Sequence, residues 1–159
     1  MRVGVLREEG AARLSPDTVL QLMERTRARV LVETGAGRDL LYREAGAQIV
    51  TSAEEVFARC QIVLKIGAPT PNELRLLRPG QVVIAAFDQL VNEADLPTCR
   101  ESDAICFTSV TEVQLETLVT WNWKTAIEKC PDLKNALWAA EGKLRTLETY
   151  PASETYQEL

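Results

Sequence analysis

The sequence predicts an α/β fold: a single domain with a mostly parallel sheet, helices on both faces, and a C-terminal helical hairpin. Three observations lead there. From residue 2 to residue 108, short β-branched runs alternate with amphipathic segments, the pattern of parallel strands joined by crossover helices. Ser15 stands before Pro16-Asp17, and Ser52 before Ala53-Glu54-Glu55, both in the form of helix starts. After Thr108 the strand rhythm stops and only helical periodicity continues. At 159 residues the chain is long enough for one domain with its own core and too short for two of full size.

Taken in order, the strands are read at 2–6, 29–33, 48–50, 61–66, 81–87 and 104–107. Between the first two, Ser15 caps a helix that has Pro16 in its first turn, and Val19, Leu20, Leu22 and Met23 form its apolar stripe. Ser52 caps another, and Glu55 is spaced to close a capping box with it. Pro71 opens a short helix that ends before the Pro79-Gly80 turn, and Asn92 caps one that runs to about Glu101.

Beyond the α/β unit at 1–110, residues 111–129 and 133–148 read as two helices divided by Cys130-Pro131-Asp132. In the second, Leu133, Leu137, Ala140, Leu144 and Leu147 step by four, three, four and three, a narrow seam suited to helix packing. The hairpin at 111–150 is expected either to fold back onto its own domain or to pair two copies through Leu137 and Leu144. The polar residues 151–159 are expected to fray into a flexible tail.

Composition narrows the function classes. The net charge is −5 and the pI is near 4.9, with basic residues scattered, which argues against a nucleic-acid partner. No apolar run approaches the roughly 20 residues that cross a bilayer, and no leader precedes the first strand. A cytoplasmic protein without membrane insertion is expected. Cys60, Cys99, Cys106 and Cys130 form no Cys-x-x-Cys pair, so neither zinc nor a redox dithiol is suggested. The chain has no histidine, which removes the usual general base and the commonest metal ligand.

In a parallel α/β sheet, ligands bind outside the carboxyl ends of the strands. The strand reading places Arg7, Arg13, Thr34 to Gly37, Lys65, Asp88 and Ser109 there. Arg13 can fork onto a carboxylate or phosphate, or pair with Glu8 or Glu9. Lys65 can bind an anion, or form a salt bridge to a neighbour such as Asp88. Thr34-Gly35-Ala36-Gly37 follows a strand but lacks a dinucleotide fingerprint, because Leu40 stands where the third glycine belongs. A tight turn is the simpler reading. Trp121, Trp123 and Trp138 are expected to be core or interface anchors.

The same residues carry a resemblance. Met1-Arg2-Val3-Gly4-Val5 followed by Arg13-Leu14-Ser15-Pro16, then Val32-Glu33-Thr34-Gly35-Ala36-Gly37, then Glu44-Ala45-Gly46-Ala47, then Leu64-Lys65-Ile66-Gly67-Ala68-Pro69 resemble, in order and spacing, the N-terminal domain of alanine dehydrogenases and NAD(P) transhydrogenase α subunits. The Lys65-to-Pro69 segment is more similar to the transhydrogenase branch.

The resemblance implies a domain that faces a Rossmann domain across a cleft. By position it makes Arg13 and Lys65 the candidate substrate-binding residues. It places Asp88, the candidate catalytic group, where alanine dehydrogenases carry a histidine. Gly67 takes the place of their second lysine, and Gln89-Leu90-Val91-Asn92 replaces a Pro-Ala-Gln-Asn segment of the transhydrogenases. With no Rossmann segment following, no cofactor is expected to bind this chain alone, and NAD(P) enters only through a partner domain. The chain is then either an oxidoreductase component working with a separate nucleotide-binding chain, or a non-catalytic small-molecule-binding or assembly module that kept the fold and lost the site. A homo-oligomer or a Rossmann-domain partner chain is the expected association.

Overall fold

Six parallel strands form the centre of the computed structural model, which describes residues 1–9, 14–90 and 93–138. They are β1 (Arg2–Val5), β2 (Arg29–Glu33), β3 (Gln48–Val50), β4 (Ile62–Leu64), β5 (Val82–Ala85) and β6 (Ile105–Thr108). A short β7 (Leu137–Trp138) adds antiparallel to β6, pairing Leu137 with Phe107 and Trp138 with Cys106. The sheet order is β3-β2-β1-β4-β5-β6-β7.

Side-chain alternation along the strands feeds two cores, one on each face. On the first, Val3, Val5, Val30, Val32, Ile62, Leu64, Ile84 and Phe107 pack under α1 (Pro16–Thr26), α2 (Asp39–Glu44), α6 (Glu112–Thr120), α7 (Trp123–Lys129) and α8 (Leu133–Ala136). On the second, Leu31, Val63, Val83, Ala85 and Cys106 meet α3 (Ala53–Arg59), α4 (Pro71–Leu74) and α5 (Leu96–Glu101). The predicted α/β class, with helices on both faces, is what the structure has. Each fully buried Val or Leu contributes about 1.5–3 kcal/mol, so both faces are needed for a stable sheet.

Gly4 points at the second face. A Cβ built there would lie inside the van der Waals envelope of Val56 Cγ1 and 3.0 Å from Cys60 Sγ, so glycine is what lets α3 approach β1 this closely. Gln81 secures the C-terminal end of the same helix. Its buried amide donates to the carbonyls of Phe57 (2.9 Å) and Cys60 (2.8 Å), which the end of α3 leaves without helical partners.

Helix starts follow the expected chemistry. The Ser15 hydroxyl accepts from Thr18 N–H at 3.1 Å, with Pro16 in the first turn, and Ser52 accepts from Glu55 N–H. The capping box expected at Ser52 is half made. The Glu55 carboxylate instead takes the backbone N–H of Thr51 (3.0 Å) and an Arg59 nitrogen (2.8 Å), which hold its carboxyl below the usual carboxylate range. Complete boxes form at Thr70/Glu73 and Thr111/Gln114.

The tight turn read at Gly35 to Gly37 leads into α2, to which Arg38 offers no side-chain cap. Two local expectations are corrected. Residues 111–129 are two helices, because Trp121 is extended (φ −117°, ψ 159°) and Asn122 starts a new one by capping Thr125 N–H. Residues 133–148 are not one helix: a single turn at Leu133–Ala136 gives way to β7, where Leu137 gains a sheet partner and is buried. Leu137 is therefore in the domain's own core and not on a free dimer seam. Ala140, Leu144 and Leu147, the rest of the hairpin and the 151–159 tail lie outside the described residues, as does the expected cap Asn92. Trp123 is a core anchor, whereas Trp121 is 42 % exposed.

Candidate functional site

The strand order reverses direction once. From β1 the chain winds outward through β2 to β3, and from β4 it winds the other way through β5 and β6, so β1 and β4 flank the topological switch point. Chains leaving two such strands diverge at their carboxyl ends and leave a crevice, the default ligand position of this architecture. What lines it is the exit of β1, Leu6 to Glu8, and the exit of β4, Lys65 to Gly67.

Those exits are tied together by carboxylates. Leu6 N–H still pairs with Leu64 O (3.1 Å), and Arg7 N–H then turns to the other side and donates to the Glu33 carboxylate at 2.8 Å. Glu8 reaches back across the crevice, and its two oxygens accept from Ile66 N–H (2.9 Å) and Gly67 N–H (2.6 Å). On the far side, Gly67 O accepts from Ala86 N–H (3.0 Å). The β4 exit is thus held from both flanks.

Lys65 sits where the sequence places it, at the end of β4, with its N–H on Ile84 O (2.8 Å). Its ammonium contacts both oxygens of Glu73, at 2.8 and 3.1 Å, and the two side chains are only 8 % and 10 % exposed. The described partner is Glu73, where a neighbour such as Asp88 was expected. Glu73 also accepts from Thr70 N–H at 2.8 Å, so one carboxylate closes the capping box of α4 and balances the lysine. A buried pair of this kind needs additional hydrogen bonds to offset its desolvation, and Thr70 supplies one.

The glycine turn after β2 satisfies its own polar groups. Thr34 N–H pairs with Val50 O (2.8 Å), and the Asp39 carboxylate accepts from the Thr34 hydroxyl (2.6 Å) and Gly35 N–H (3.1 Å). The Thr34 hydroxyl, then the Gly35 N–H, hold the Asp39 carboxyl below its ordinary range. Gly35 has φ 84°, which explains the glycine, and the stem of Arg7 lies over it. Aimed at Asp39, the Gly35 N–H is not presented to a phosphate.

Of the other candidates, Arg13 lies outside the described residues. Asp88 falls in the 3-10 turn Phe87–Gln89 directly after β5, at the same sheet edge, and its side chain is outside the described part. Ser109 follows β6 in the left-handed region, with φ 53°, a conformation that a non-glycine residue holds only under constraint. Burial pushes the Cys60 and Cys99 thiols up to about 11 and the Cys106 thiol well above its ordinary value, so these three stay protonated at neutral pH. Among the described residues, no three His, Cys, Asp or Glu side chains group to hold a metal, and no helix is long and apolar enough to cross a membrane.

Sequence reasoning missed Glu8 and Glu73 as parts of the site. Glu73 carried a signal, its spacing of three from Thr70 ahead of a Pro-initiated turn. Glu8 carried none beyond following a strand.

Comparison with known proteins converges on this region. Residues 4–122 match the family model described as alanine dehydrogenase/PNT, N-terminal domain. The chain is 36 % identical over 113 residues to an NAD(P) transhydrogenase subunit alpha from Cereibacter sphaeroides, covering 65 % of this chain and 21 % of that protein. It is 31 % identical over 129 residues to an alanine dehydrogenase from Mycobacterium tuberculosis, covering 76 % and 33 %. Among solved structures, a transhydrogenase from Sinorhizobium meliloti superposes with a TM-score of 0.59 at 27 % identity, over 74 % of this chain and 39 % of the other. An L-alanine dehydrogenase superposes with a TM-score of 0.58 at 27 % identity, over 68 % and 32 %. The chain spans only about a fifth to two-fifths of the length of these relatives.

Proposed function

Because the chain belongs to the alanine dehydrogenase/PNT N-terminal domain family, we propose that it forms the substrate-side wall of an oxidoreductase cleft and depends on a separate nucleotide-binding chain for its dinucleotide. The observation that carries this reading is the pairing of the described polar groups at the switch-point crevice: Lys65 is matched by Glu73, and the N–H groups of Ile66 and Gly67 by Glu8. Among the described residues, these contacts hold the shape of the wall.

The residues do not fit a dinucleotide of their own. The strand-to-helix turn that follows β2 directs its Gly35 N–H to Asp39, and the six-residue α2 carries Leu40 where a dinucleotide fingerprint has the glycine for close helix–strand packing. No step through NAD(P) is therefore derived for this chain. On this reading Lys65, oriented by Glu73, and Arg13, by its place in the sequence, are the cations of the substrate side, and Asp88 follows β5 at the same sheet edge.

A second reading is favoured by one residue. Gly67 stands where a second lysine is expected from the resemblance, and a side chain there would crowd the Glu8 carboxylate, its Cβ falling 3.3 Å from one oxygen. On this reading the chain is a non-catalytic binding or assembly module. Steady-state assays separate the readings from independent catalysis. The purified chain is expected to show no alanine oxidation and no hydride transfer between nicotinamides above a no-protein blank. Turnover that disappears in Arg13→Ala would overturn both.

A further inference from the structure

Basic residues that the sequence scatters are gathered by the fold at the amino edge of the sheet, the edge opposite the switch-point crevice. Arg2 opens β1 and Arg29 opens β2, and the parallel register sets them side by side. Both follow the alternation that sends Gly4 and Leu31 to the second face, so their side chains share the α3 side of the sheet. Arg59 ends α3 on that side. Arg78, four residues ahead of β5, has a guanidinium nitrogen 3.5 Å from the Cys60 carbonyl. The Cys60 thiol feels the convergence: burial raises it, and Arg59, Arg2 and Arg78 pull it partly back.

The neighbouring acids leave most of this charge unmatched. Arg59 is paired with Glu55 at 2.8 Å, whereas Arg2, Arg29 and Arg78 are exposed and make no ion pair with a described residue. Asp103 stands at the same edge ahead of β6 and likewise forms no ion pair with a described residue; its carbonyl accepts from Gly80 N–H at 3.1 Å. Like charges side by side on neighbouring strands destabilise the free chain. The strand order β2-β1-β4-β5 spreads the three guanidiniums over about 14 Å, three strand spacings. Arginine at each point supplies a planar fork that matches a carboxylate two oxygens at a time. A span this short takes a few successive carboxylates. A nucleic-acid strand would carry its further phosphates onto the surface of a chain whose net charge is −5.

We propose that Arg2, Arg29 and Arg78 form a docking surface for an acidic segment of a protein partner, one with several glutamates or aspartates in succession. The surface lies at the far edge from the substrate-side wall and does not rest on the half-cleft reading, so either can fail alone.

The test is fluorescence anisotropy of a rhodamine-labelled hexaglutamate peptide titrated with the full chain at low ionic strength. Saturable binding is expected, weakening at least tenfold in Arg2→Gln/Arg29→Gln/Arg78→Gln. Lys124→Gln/Lys129→Gln/Lys134→Gln makes the same change of net charge on α7 and α8, across the sheet, and is expected to bind within twofold of the unsubstituted chain. No saturable binding, or equal weakening in the two triple variants, overturns the proposal. Tighter binding of a labelled hexathymidylate than of the peptide assigns the surface to phosphate and also overturns it. Should the arginine triple fail to fold, Arg2→Gln alone decides. It is expected to weaken peptide binding several-fold while raising the urea midpoint of the free chain, because it relieves the repulsion from Arg29. A lowered midpoint, the mark of a merely structural arginine, or an unchanged peptide affinity overturns the proposal.

Discussion

Replacing Lys65 with methionine is expected to destabilise the fold by about 3–5 kcal/mol, the cost typical of breaking a buried ion pair from one side. Glu73 would be left about nine-tenths buried, with Thr70 N–H its remaining hydrogen-bond donor. Its charge would then be uncompensated at neutral pH. The double variant Lys65→Met/Glu73→Leu removes both charges and should recover most of the loss. What remains is about 1 kcal/mol, because the capping box at Thr70 goes with Glu73. Urea unfolding of the four chains completes the cycle. A Lys65→Met cost under about 1 kcal/mol would show that the pair behaves as an exposed one.

Gly4→Ala is expected to cost about 1–3 kcal/mol through overpacking, although alanine is the smallest possible addition. Its methyl would overlap Val56 Cγ1 and press on Cys60 Sγ and Cβ, at 3.0 and 3.3 Å. Both neighbours belong to α3 or its cap, and Gln81 pins the end of that helix to β5. The helix therefore cannot withdraw from β1 without breaking those bonds. Val56→Ala combined with Gly4→Ala should cost less than the sum of the two single changes, since the truncated valine makes room. Additive losses in the urea midpoints would mean that the overlap is relieved elsewhere.

How much of this was readable beforehand depends on whether the cause was local. Strands 29–33 and 48–50 and the caps at Ser15 and Ser52 follow from neighbouring residues, and the structure has them at those positions. Where the cause is tertiary, the reading failed. Leu137 fits a helical seam by spacing, yet the free edge of β6 offers it a ladder partner and a buried site. One miss was local: Trp121 breaks a helix that periodicity alone would continue, because the adjacent Asn122 caps Thr125 N–H and starts a new one.

The candidate site divides in the same way. Lys65 was legible at the end of an apolar strand, but its partner was not. Asp88 follows the adjacent strand in the sheet, whereas Glu73 is brought to the ammonium by the turn at Thr70 and Pro71. Glu8 was read as a partner for an arginine, and the structure gives it two backbone N–H groups contributed by a segment nearly sixty residues away. Contacts that cross the switch point depend on strand order, which spacing along the chain does not reveal.

The central claim, that this chain is the substrate-side wall and not the dinucleotide-holding side, is tested most directly by titrating the purified full chain with NADH. Trp123 is buried against the sheet and Trp121 is exposed, so tryptophan emission offers an intrinsic reporter alongside calorimetry. The expected result is no saturable heat and no saturable emission change up to millimolar NADH. Saturable binding in the micromolar range would contradict the account.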